Sequence, residues 1–203
     1  MKTIIFSLLF IYSSFAFSSC HDELKDLYFK VTLAQSEGKP VTKNLSMSIE
    51  KQLLECSNEK QYIEAEDFLN ESKYFITFLD LAIMASSSAL FDTYLEQFDF
   101  KKSGYLHSPL DVSSLHVAAT ANNIEFMKKL LSKGISVNVR DSIGITPLLY
   151  ANSLDSIKYL ISEGADLDLK IKSEVSQACI LLSHENNVIV AYVDSIYEGK
   201  CAQ

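Results

Sequence analysis

Two stretches of this chain copy one another, and that repetition limits the folds open to it more than any other feature. Ser113-Ser114-Leu115-His116-Val117-Ala118-Ala119 aligns with Thr146-Pro147-Leu148-Leu149-Tyr150-Ala151-Asn152, with Leu115 and Leu148 standing 33 residues apart. Further on, the run Phe126-Met127-Lys128-Lys129-Leu130-Leu131-Ser132-Lys133-Gly134 resembles Ile157-Lys158-Tyr159-Leu160-Ile161-Ser162-Glu163-Gly164. Gly134 and Gly164 are 30 apart, so the second copy is three residues shorter between its two apolar segments. A unit of this length cannot bury its apolar face alone and must stack on its neighbours. The residue types agree with helix–turn–helix units. Thr146 and Ser113 are expected to cap helices with their hydroxyls, and Pro147 falls at a first helical position, where no amide hydrogen is needed. Ala118, Ala119 and Ala151 keep the helix thin enough for close stacking. Gly134 and Gly164 suit left-handed helix ends, and Asn138-Val139-Arg140-Asp141 supplies turn residues.

These segments resemble the ankyrin repeat, whose pattern has a T-P-L-H-x-A-A helix, a second helix ending L-L-x-x-G-A, and an N-x-x-D finger. The matches are Leu115, His116, Ala118, Ala119, Leu130, Leu131, Gly134, Asn138, Asp141, Gly144, Thr146, Pro147, Leu148, Ala151, Gly164 and Ala165. The resemblance implies an all-α, ankyrin-type helical solenoid. The clearest units are residues 112–144 and 145–171, with degenerate units at 76–100 and 174–197 inside a stack over 76–203. Residues 20–75 form a helical N-terminal cap, its span 22–72 reading as two or three amphipathic helices with Leu24, Leu27, Tyr28 and Val31 on an apolar face. Ankyrin stacks grip proteins through their fingers and first helices. The tip positions implied here are Tyr105, His107, Arg140, Ile143, Lys170 and Lys172. His116 takes the family's histidine position, which stitches neighbouring loops through hydrogen bonds.

Residues 1–19 read as a signal peptide: Lys2, then an apolar run from Ile4 to Tyr12, then Ala16-Phe17-Ser18, which fits cleavage after Ser18. The run is shorter than the ~20 apolar residues of a membrane span. Export to the periplasm or the exterior puts the cysteines in an oxidising compartment. There are four, Cys20, Cys56, Cys179 and Cys201, and of three possible connectivities proximity favours Cys20–Cys56 and Cys179–Cys201. Phe17-Ser18-Ser19-Cys20 also loosely resembles a bacterial lipobox, which would instead acylate Cys20 and tether the chain to a membrane. Apart from that case no membrane partner is expected.

The formal net charge of −8 opposes nucleic-acid binding, which needs a basic face. No metalloprotease, nucleophile-elbow, phosphate-loop or C-x-x-C motif occurs, and no cofactor or metal ligand set is expected. Glu64, Glu66 and Asp67 read as a solvated helix face, and His184-Glu185 as a solvated turn. Asn44-Leu45-Ser46 and Asn70-Glu71-Ser72 match the glycosylation acceptor pattern, relevant only in a eukaryotic secretory pathway. The sequence therefore reads as a non-catalytic exported module that binds another protein in the periplasm or cell envelope. One concrete version is an immunity protein inhibiting a toxic enzyme. The alternatives are a secreted effector binding a host protein, or an enzyme with its site in the N-terminal helices.

Overall fold

The computed structural model describes residues 20–37, 39–56, 62–66, 73–97, 111–198 and 201. The signal-peptide span, Asp67, the acceptor at Asn70, and the finger residues Tyr105 and His107 lie outside the described residues. The chain is a run of helix pairs: α1 (Cys20–Ser36) with α2 (Lys43–Glu55), α3 (Phe78–Met84) with α4 (Ser88–Gln97), α5 (Ser114–Thr120) with α6 (Ile124–Ser132), α7 (Pro147–Tyr150) with α8 (Leu154–Ser162), and α9 (Gln177–Leu182) with α10 (Asn187–Ile196). Helix dominates, as an all-α solenoid requires, and the last four pairs are successive units of one stack.

Equivalent positions in those four units occupy equivalent places. Thr77, Ser113, Thr146 and Ser176 precede the first helix of each unit. Leu79, Leu115, Leu148 and Ala178 follow two residues later, and all four are buried between units. Ala82, Ala118 and Ala151 are buried one turn on, where a small side chain lets the helices approach. Burying each of the leucines stabilises by roughly 1.5–3 kcal/mol relative to exposure, and burying an alanine by less. Phe91 stacks on Phe126 between the first and second units, ring centroids 4.1 Å apart.

Thr146 departs from its expected role. Its hydroxyl makes no bond to its own helix and donates instead to the Gln177 side-chain oxygen of the next unit. Pro147 serves the helix start by itself, needing no amide partner. Ser153 and Asn123 cap the second helices, accepting from the amides of Ser156 at 3.2 Å and Phe126 at 3.1 Å.

The outer helices make one contact three times. Lys129 pairs with Asp92 at 2.7 Å, Lys128 lies over the Tyr159 ring at 5.7 Å, and Lys158 lies over the Tyr192 ring at 5.0 Å. In each case one residue reaches forward and the residue at the next position of the following unit receives it.

The N-terminal cap differs from the expected set of helices. After α1 and α2 the chain forms a hairpin, β1 (Tyr62–Glu66) antiparallel to β2 (Lys73–Thr77), so Glu64 and Glu66 belong to a strand. Ile63 and Ile76 face each other across it and are buried, while Tyr62 and Phe75 meet edge to face at 5.0 Å on the other side. Alternation with period two therefore outweighs the helical reading here. β2 ends on Thr77, which caps α3 reciprocally with Asp80, so the hairpin stands where a finger precedes each later unit. Cys20 and Cys56 form a disulfide joining the start of α1 to the end of α2. The Tyr94 hydroxyl donates to the Leu53 carbonyl at 3.0 Å and ties this cap to the first unit.

Gly134 and Gly164 end α6 and α8 with φ of 90° and 93°. The equivalent turn at the finger tip uses Gly144 at φ 89° but Glu174 at φ 63°. Left-handed backbone costs a residue with a side chain roughly 1–2 kcal/mol. Gly134→Val is therefore expected to lower the melting temperature, although nothing lies within 4 Å of the added Cβ, whereas Glu174→Gly should leave it unchanged or raise it. Thermal melts of the two variants check the contrast: a loss for Gly134→Val and none for Glu174→Gly.

Candidate functional site

The fingers over residues 135–146 and 165–176 present the surface at which ionisable and apolar side chains of the stack come together. The first finger is organised by Asp141, which is buried. Its Oδ1 accepts from the amides of Ile143 at 3.0 Å and Ile145 at 2.8 Å, and its Oδ2 accepts from the Tyr150 hydroxyl at 3.0 Å. Burial first, then the Asp141 charge, pushes the Tyr150 phenol up, so it stays a donor.

His116 connects this finger to the preceding unit. Its Nδ1 accepts from the Ser113 amide at 3.1 Å, so the proton sits on Nε2, which donates to the Ile145 carbonyl at 3.2 Å. The ring packs edge to face against Tyr150 at 4.8 Å. Burial lowers its pKa to about 4, outweighing the opposing effects of the Ile145 carbonyl and Asp141. The histidine is a neutral structural link between units.

The second finger has Ile171 where the first has Asp141 and takes its geometry from its neighbour. Arg140 Nη1 donates to the Lys170 carbonyl at 2.9 Å, and the Lys172 amide donates to the Ile143 carbonyl at 3.2 Å. Lower down, Asn138 donates to the Gly164 carbonyl at 3.0 Å and accepts from the Asp166 amide at 2.9 Å. A Cβ on Gly144 would lie 3.4 Å from the Lys172 backbone nitrogen, an ordinary contact, so it is the left-handed φ of 89° that calls for glycine here.

The two fingers thus bring Arg140, Ile143, Lys170 and Lys172 together on one rim. Ile143 is 42% exposed, and Val175, which the sequence reading missed, is equally so on the second finger. Lys170 pairs with Glu174 at 3.5 Å, an exposed contact that contributes little and leaves the ammonium accessible. The repeat spacing gave no signal for Val175, since at the offset of 30 between Gly134 and Gly164 the predicted tip Ile143 aligns with Ser173.

Other places are less suggestive. A cleft of about 360 Å³ between α2 and the end of α3 is lined by Val41, Ser46, Met47 and Met84, with Lys43 and Glu50 as its ionisable groups. Among the described residues no group of three or more His, Cys, Asp or Glu could hold a metal ion. No described helix is long and apolar enough to cross a membrane. His184, after α9, accepts from the Asn186 amide through Nδ1 at 2.9 Å, a turn contact.

Residues 77–171 match the family model for ankyrin repeats, in three copies. A protein of Borreliella burgdorferi named for ankyrin repeats is 26% identical over 184 residues, covering 79% of this chain and 84% of its own length. Proteins of Fowlpox virus and Rickettsia bellii with names of the same kind are 31% identical over 111 residues and 41% identical over 61 residues. Those matches span 52% and 28% of this chain but only 23% and 26% of the two relatives.

Buried neutral His116 makes stability depend on pH. The unfolded imidazole titrates near its usual 6.5 and the folded one at about 4, so the unfolded chain binds the proton first. Stability from this group is full above about 6.5 and is lost as pH falls towards 4, by up to about 3 kcal/mol. Denaturant melts at pH 7.5 and 4.5 should show a larger loss for the native chain than for His116→Gln. Parallel losses would contradict the assignment.

Proposed function

The repeat stack over residues 77–171 belongs to the ankyrin-repeat family, and we propose that this chain is a non-catalytic module that grips another protein with its finger tips. The observation that carries the reading is the interlocking of two neighbouring fingers, which sets Arg140, Ile143, Lys170 and Lys172 side by side. Three cations around an exposed aliphatic side chain, on a chain of net charge −8, suit a partner with an acidic patch around an apolar contact. Such complementarity speeds encounter and fixes orientation more than it adds affinity. His116, Asp141 and Tyr150 keep the rim rigid before contact, so little ordering cost falls due on binding.

The compartment in this reading is the periplasm, the cell envelope or the exterior. The signal-peptide pattern of residues 1–19 supports it, as do two disulfides, which persist under oxidising conditions. A Cys20 sulfur bonded to Cys56 is not free to carry a lipid thioether, which favours a chain that is cleaved but not lipidated. Within that compartment an immunity protein covering a toxic enzyme is the most concrete form. A basic rim suits the acidic residues that often line hydrolytic sites.

The test is site-specific photocrosslinking in cells producing the full chain, with the probe at Ile143 and a control probe at Glu163, the exposed C-cap residue of α8. A discrete adduct is expected from Ile143 alone, and it should disappear in Lys170→Glu/Lys172→Glu. With the captured partner purified, association should slow about tenfold or more between low and physiological salt. Equal labelling from Glu163, or an adduct indifferent to the charge reversal, would overturn the fingertip assignment.

A further inference from the structure

Resting on the fingertip reading, we propose that the Cys179–Cys201 disulfide is a redox-sensitive latch that holds the second finger in its binding geometry. The two disulfides of the chain differ in access. Cys56 is fully buried and Cys20 half-buried, and the Gln52 side-chain amide lies over both sulfurs, at 3.5 Å from Cys20 and 3.9 Å from Cys56. Cys201 is exposed. Thiol–disulfide exchange requires the attacking thiolate to reach a sulfur, so a dithiol reductant meets Cys201 first. Attack on the Cys201 sulfur breaks its bond to Cys179, which departs as a thiolate, and the Ser176 hydroxyl, 3.1 Å from that sulfur, stabilises it. The second thiol of the reductant then displaces Cys201. Two electrons pass to the protein, the dithiol becomes a disulfide, and both cysteines end as thiols.

The latch acts on the finger through its neighbours. Cys179 takes the place in its unit that His116 holds two units earlier, where the side chain reaches forward to the next finger. At the end of the described stack it reaches forward to Cys201 instead. The two residues before it hold the finger backbone: the Gln177 amide donates to Leu169 at 2.9 Å, the Ala178 amide donates to Leu167 at 3.0 Å, and Gln177 Nε2 donates to Asp166 at 2.9 Å. Just past α10, the Tyr197 hydroxyl donates to Asp168 of the same finger at 3.0 Å. Opening the bond frees the chain on which Tyr197 sits and removes the cross-link beside Gln177 and Ala178. The finger that presents Lys170 and Lys172 is thereby loosened, while the first finger keeps its own support from Asp141.

The test titrates the full chain with dithiothreitol and reads it by differential alkylation and hydrogen exchange. Cys179 and Cys201 should become alkylated about tenfold faster than Cys20 and Cys56. Amide exchange should rise over residues 166–180 and stay unchanged over 113–165. Cys201→Ser should show the same exchange pattern without reductant. Opening of Cys20–Cys56 first or together with the other bond, or native-like exchange over 166–180 after reduction or in Cys201→Ser, would overturn the latch. No partner enters these measurements, so their failure leaves the docking surface standing. Failure of the crosslinking test with a normal latch response would reject the docking surface instead.

Discussion

The contact between one helix pair and the next carries this molecule, because no pair has enough partners to bury its apolar side by itself. Leu79, Leu115 and Leu148 are buried in the stack, and Phe91 and Phe126 stack across one of its junctions. Polar groups trapped in the same junctions then fix how the units meet. Ser114 donates to Asp80 at 2.6 Å, His116 reaches Ile145, and Thr146 reaches Gln177. A buried polar group contributes modestly when paired but costs about 1–3 kcal/mol when left without a partner. Sliding one unit past another would strand several of these groups together. Apolar area drives the stacking, and the polar pairs choose the register.

The stack was legible in the sequence because its demands fall on residue types with few substitutes. Only glycine takes the backbone of Gly134 and Gly164 without strain, and the thin helices need alanine at Ala118 and Ala151. The degenerate first unit was visible through its helix outline, and the three copies matched over residues 77–171 include it. The hairpin was not read, although Ile63-Glu64-Ala65-Glu66 alternates, because each strand is only five residues long and Tyr74-Phe75-Ile76 is a continuous apolar run. Charged residues in so short a segment suit an exposed helix face as well as one side of a strand.

At the rim the sequence located tips but not their relationship. Arg140, Ile143, Lys170 and Lys172 could be picked as loop residues, yet nothing in their spacing says that an Arg140 side chain closes on a Lys170 carbonyl. That contact depends on how two units dock. The same holds for Thr146, whose hydroxyl could serve its own helix or the neighbouring unit, and the buried partner Gln177 decides between them. Local chemistry is written locally, while contacts that cross a junction depend on two segments about 30 residues apart.

The forward-reaching contacts along the outer helices bear on how such a chain changes length over generations. The third unit holds Lys158, which reaches forward, and Tyr159, which receives a lysine from behind. It is therefore complementary to itself. Duplicating it would set Lys158 of one copy over Tyr159 of the other, with no new side-chain chemistry to invent. The first junction is joined by other chemistry, the ion pairs Asp92–Lys129 and Glu96–Lys133. A copy of the third unit placed after itself would keep the cation-on-ring contact, whereas one inserted at the first junction would have to replace two ion pairs.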